Sequence, residues 1–168
     1  MNKTVIKFSI YGFLAAIILF LSALVFGENL SYGAQEVLGY SSMVLSLIFV
    51  FFGIKNYRDK ENGGTISFGK AFGIGMLITL FAALGFAIID FVFTTYLNPE
   101  FVDEYIGRLI LDAEKTFSGD ELVAKKAELE EYRKSMTSFA MALLMFATVI
   151  LIGFIISLIS SLVLHKNK

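Results

Sequence analysis

Four stretches of this chain contain no Lys, Arg, Asp, Glu or His: 20 residues between Lys7 and Glu28, 18 between Glu36 and Lys55, 19 between Lys70 and Asp90, and 30 between Lys134 and His165. A hydrocarbon core about 30 Å thick takes about 20 apolar residues at about 1.5 Å per residue. Four such stretches in one chain require lipid as their solvent. The composition agrees, with 57% hydrophobic and 17% charged residues, where soluble domains carry roughly 25% charged. The chain therefore reads as a single all-α membrane domain over 1–168, an integral membrane four-helix bundle. Spans are expected at about 8–26, 37–54, 71–96 and 136–164, with an amphipathic helical segment at about 98–135 between the third and fourth transmembrane helices. The first stretch exceeds the about 7–15 residues of a signal-peptide core. It is read as a retained anchor and not as a leader cleaved before Glu28.

Several function classes are set aside by what the chain lacks. Cysteine is absent and His165 is the one histidine, so disulfides, thiolate chemistry and paired-His sites within one chain are unavailable. A net charge of −1 gives no basic footprint for nucleic acid. No pair of carboxylates is placed so as to compel acid–base work. The cluster Glu128, Glu130 and Glu131 reads as a solvated helix face. No catalytic, cofactor-binding or metal residue is assigned, no cofactor is expected, and the chain is expected not to be an enzyme.

Orientation follows from Lys and Arg on the two sides. Lys3, Lys7, Lys55, Arg58, Lys60, Lys70, Lys166 and Lys168 fall on one side, and Arg108, Lys115, Lys125, Lys126, Arg133 and Lys134 on the other. The first helix decides the matter, with two lysines before it and only Glu28 and Glu36 in the loop after it. Both termini are expected to be cytoplasmic. Tyr11 and Tyr57 fall at inner span ends and Tyr32, Tyr40 and Tyr96 at or beyond outer ends, as amphipathic rings prefer.

The second loop holds a turn signal at Asn62-Gly63-Gly64, after which Ser67 or Thr65 can cap the next helix. In the charged segment, Asn98-Pro99 reads as a helix start. Val102, Tyr105, Ile106, Leu109, Ile110, Ala113 and Phe117 then recur at helical spacing. Ser118 with Glu121 offers a capping box for a second helix. Its stripe of Leu122, Leu129, Tyr132 and Met136 leads into the fourth span. Either the stripe lies among outer headgroups, or the two helices fold together as a cap over the bundle or against a partner. The second is favoured.

Gly64 to Lys70 matches the spacing G-x-x-x-x-G-K, but Ala71 stands where a Mg²⁺-binding hydroxyl belongs and no strand precedes it. Lys70 and Asp90 lie 20 residues apart, about 30 Å along a helix, so they cannot share a nucleotide. Helix packing is the favoured account of the small residues. Gly69-x-x-x-Gly73 begins a face continuing through Met76, Leu80, Ala83, Ala87 and Asp90, and Gly153, Ser157 and Ser161 form another in the fourth span. Asp90 is the one ionisable residue within a span and so a functional candidate. Its distance from Ala71 favours a carboxylate wetted at the outer boundary. Lys55, Arg58, Lys60 and Lys70 are candidates for anionic lipid headgroups, with ordinary orientation charge the favoured account.

The run FVFFGIKNYRDKENGGTISFGKAFGIGMLITL, and within it YRDK-x-x-GG-x-ISFGKAF, resembles a bacterial family of small membrane proteins catalogued as domain of unknown function 4199. The resemblance extends over nearly the whole chain, including the segment after YLNPEF and the terminal SLVLHKNK. It implies a four-helix inner-membrane protein and supplies no catalytic or binding residue. The expectation is a non-enzymatic component for interaction or assembly. Its partners would be the lipid bilayer and, through 98–135, a further copy or a membrane partner protein. The rival is a small transporter or channel subunit with Asp90 near the pathway.

Overall fold

The computed structural model describes residues 3–27 and 30–166; Glu28, Lys168 and the side chain of Tyr32 lie outside that description. Its helices are α1 (Lys3–Gly27), α2 (Tyr32–Ser46), α3 (Ile48–Asn56), α4 (Phe68–Val92), α5 (Phe101–Thr116), α6 (Gly119–Ser135) and α7 (Ser138–Leu164). Four continuous apolar stretches are long enough to cross a membrane: Lys3–Gly27, Gly33–Glu61, Phe68–Leu97 and Ser138–Leu164. The protein is an all-α, multi-pass membrane protein. Two compact units result, Met1–Ile89 with Met145–Lys168, and Asp90–Leu144.

The first unit is the bundle. Its third span is the most enclosed, 44% buried against 22% for the first and fourth. The outward faces stay apolar, with Ile18, Val37, Leu151 and Val163 all exposed, which water would penalise and lipid does not. Phe20, Leu47, Ile54, Ile78, Phe86 and Val149 form the core.

The second span is interrupted, which its apolar composition does not announce. α2 and α3 meet at Leu47, where the Ser46 hydroxyl donates to the Met43 carbonyl at 2.8 Å and Ser42 donates to Gly39 at 2.6 Å. Leu47 takes ψ −4°, and its carbonyl accepts from Val50 N at 3.0 Å in a 3₁₀-type bond, so the regular ladder breaks there. The span also begins earlier than 37. Gln35 donates to the Gly27 and Leu30 carbonyls at 3.0 and 3.2 Å, so a polar residue in the first turn satisfies the end of the helix before it.

The second unit is a helical hairpin, in which α5 and α6 pack around Ile106, Ala113 and Leu129. Lys126 bonds Glu114 at 2.6 Å and Arg133 bonds Asp103 at 2.6 Å, setting the antiparallel register. The expected caps are corrected in detail. α5 starts at Phe101 behind Glu100, not at Asn98-Pro99, and Ser118 stands at the N-cap of α6 without a side-chain bond. The apolar stripe also does not run unbroken into the fourth span. Met136 leaves the helical region, and Thr137 caps α7 by accepting the Ala140 amide at 3.1 Å.

Candidate functional site

The motif that most distinguishes this sequence builds a charged clasp at one end of the bundle. α3 runs into a π-helical turn, Tyr57–Glu61. The wider turn sends an acid and a base in useful directions. Glu61 accepts from the Thr4 amide at 3.2 Å and also from the Thr4 hydroxyl, which lies 3.2 Å from Asn56 Oδ1. The first turn of α1 has amides without intrahelical acceptors and a partial positive charge, and a carboxylate answers both. Arg58 donates to the Leu164 carbonyl at 3.2 Å, at the last turn of α7. There a cation meets the unpaired carbonyls and the negative end of the dipole. Asp59 Oδ1 holds the Arg58 Nε at 2.6 Å and fixes its direction.

The turn that follows closes the clasp. Gly63 and Gly64 take φ of +63° and +80°, which only glycine adopts without strain. Asn62 Nδ2 donates to the Thr65 carbonyl at 2.5 Å, and Gly64 N to the Arg58 carbonyl at 2.9 Å. Ile66 and Lys166 then exchange two backbone bonds of 2.9 Å. Ser67, and not Thr65, opens α4, its carbonyl accepting from Ala71 N at 3.0 Å. Tyr57, expected at the membrane boundary, is buried, with the Lys70 ammonium 5.0 Å from its ring centre.

The four basic candidates for headgroup contact thus divide. Arg58 is half-buried and bonded to Asp59 and α7, while Lys55, Lys60 and Lys70 are exposed, the last with its ammonium near the Tyr57 ring.

The close helix approaches differ in part from the expected faces. Gly69 and Gly73 are exposed, and a Cβ at either meets no described atom within 4 Å. The face drawn from them is corrected. Its Met76 and Ala87 are half-buried and Leu80 is exposed, whereas Ala83 is buried. The buried stripe of α4 runs through Ala71, Ile74, Gly75, Ile78, Thr79, Ala82 and Phe86. The tight contacts of α4 fall at Gly75 and Gly85, neither of which lies on the expected face; Gly85 has Phe81 and Ile89 four residues to either side and so belongs to no small pair. A Cβ at Gly85 would stand 2.8 Å from the Phe13 carbonyl oxygen, and one at Gly75 2.8 Å from Ser157 Oγ. In α7, Gly153, Ser157 and Ser161 are all buried. A Cβ at Gly153 would overlap the Thr79 side chain. Ser157 shares a 3.3 Å hydroxyl contact with Thr79 and accepts Ser161 Oγ on its carbonyl at 2.6 Å.

Asp90 belongs to the second unit and corrects the expectation of a wetted carboxylate. It is 6% exposed, and its Oδ2 has no hydrogen-bond partner among the described residues. One turn on, the Thr94 hydroxyl donates to the Asp90 carbonyl at 2.9 Å. Beyond Val92 the helix widens into a second π-helical turn, Phe93–Leu97, closed by Asn98 N on the Phe93 carbonyl at 2.8 Å.

Among the described residues no group of three or more His, Cys, Asp or Glu side chains is placed to hold a metal ion. A family model described as "Protein of unknown function (DUF4199)" matches residues 7–166, which takes in the π turn Tyr57–Glu61, the hairpin and Asp90, but not Thr4. The chain belongs to that family. The DUF4199 match covers both units and ends at Lys166, the residue that pairs with Ile66. No curated protein and no solved structure matches this DUF4199 chain.

Proposed function

We propose that this protein is a non-enzymatic membrane component whose α5–α6 hairpin engages a partner protein, with the bundle as its anchor. The observation that carries the reading is the hairpin itself. It has its own apolar core and cross-helix ion pairs, in a chain whose other helices are built for lipid. The segment 98–135 holds ten acidic and six basic residues, so its surface is suited to a charged protein partner. Leu111 and Val123, 58% and 67% exposed, supply apolar anchors among those charges. A bacterial inner membrane with both termini cytoplasmic is part of the same proposal. It is supported by Lys3 and Lys7 in the first turns of α1 and by the four basic residues from 55 to 70.

The test is photo-cross-linking in native membranes from a probe at Leu111 or Val123. The expected product is one discrete polypeptide adduct that survives a probe moved along α5 and α6 but not a probe at lipid-facing Ile18. Adducts to lipid alone, or equal recovery from all positions, would remove the hairpin as a docking element.

A further inference from the structure

We propose that Asp90 is a binding point for a small monovalent cation, a proton or an alkali ion, at the C-terminal part of the third span. The proposal is independent of the assembly reading. Asp90 is the only charged residue between Lys70 and Glu100, and more than nine-tenths of it is buried. An ionised carboxylate in such a place is costly unless another charge or a set of donors answers it. Oδ2 has no donor among the described residues, and none of the salt bridges formed among them includes Asp90. The position needs a positive charge that the side chains do not provide, and a mobile cation is the species that can provide it.

The local backbone supports a site over a packing accident. Thr95 Oγ1, five residues on, is also buried without a partner among the described residues. The intervening Thr94 hydroxyl is turned back on the Asp90 carbonyl. Oxygen-bearing side chains therefore occupy three of the six positions from 90 to 95, two of them with an unpaired buried atom, where the helix leaves α register. π turns inside helices recur at functional positions because they re-aim side chains and free backbone groups. A purely structural position would be satisfied by an aliphatic residue. Ionisable groups inside a membrane-spanning helix characteristically mark ion or proton handling.

The intact protein in detergent can be probed with dicyclohexylcarbodiimide, an apolar reagent that partitions to buried carboxyls. The acid O–H adds across a C=N bond to give an O-acylisourea, whose acyl group migrates to nitrogen. All atoms are retained, and the adduct is located by peptide mass spectrometry. In choline buffer, Asp90 is expected to label at least about tenfold faster than the exposed carboxyls of α5 and α6, as burial in an apolar site dictates. Sodium chloride that suppresses labelling at Asp90 identifies an alkali ion as the ligand. Labelling indifferent to sodium and potassium identifies the proton. Asp90→Glu should keep the reaction and Asp90→Asn abolish it, while mapping the adduct in the wild-type chain does not depend on either variant folding. Labelling of Asp90 no faster than that of Glu128 or Glu131 in every buffer would overturn the proposal.

Discussion

At Gly85, a methyl group would press on the backbone oxygen of Phe13 at 2.8 Å and on the Ala16 Cβ at 3.1 Å. A main-chain oxygen cannot swing aside as a side-chain tip can. Gly85→Ala is therefore expected to cost about 1–3 kcal/mol, the usual range for overpacking. Gly73→Ala, which meets no described atom within 4 Å, should leave stability unchanged or gain slightly from helix propensity. Thermal denaturation of both variants in detergent checks the pair. Equal losses would mean that α1 and α4 do not meet as described. The comparison also shows where sequence reasoning stops. Small residues four apart are easily seen, but which of them faces a neighbour depends on the rotation of the helix. In α4 that rotation is carried by Ile74, Ile78 and Phe86 being buried while Leu77, Leu84 and Ile88 are exposed. In a helix that is apolar all round, no polar stripe marks which face is which.

Among the elements, the π turn Tyr57–Glu61 has the most assigned to it. Arg58→Gln should fray the last turn of α7 by removing the cation from its carbonyls, at about 0.5–2 kcal/mol. Amide exchange at His165, whose N–H bonds the Ser161 carbonyl at 2.9 Å, would report this as faster exchange. Lys60→Gln, at an exposed position of the same turn, should not move it. Much of this level was legible beforehand. The four spans, the turn at Asn62-Gly63-Gly64 and the paired helices of 98–135 follow from charge-free length, glycine and helical spacing. The break at Leu47 and the role of Glu61 were not. The first depends on a backbone torsion at one leucine, which an apolar run does not specify. The second depends on Glu61 meeting Thr4, 57 residues away in sequence, a pairing that local pattern cannot encode.

For the whole molecule, the absence of cysteine makes orientation directly measurable. Single substitutions Lys60→Cys and Glu128→Cys, each probed with a membrane-impermeant maleimide in intact cells, should give labelling at 128 and protection at 60. The reverse pattern would invert the proposed topology, and labelling at both would remove the membrane between the two loops. Asp90 belongs at this scale too. Its identity as the one charge in a span was plain from the sequence, but its burial was not, because counting residues along one helix ignores what surrounds it.

The pairing of Ile66 with Lys166 has a temporal corollary. The two residues are separated by 100 positions, so when α1 to α4 have already emerged from the ribosome, the strand-like edge at Ile66 and the Arg58 N–H that bonds Leu164 still await their partners. During that interval the half-made bundle offers an open seam of main-chain and charged groups, which insertion factors or water must occupy until α7 arrives to seal it.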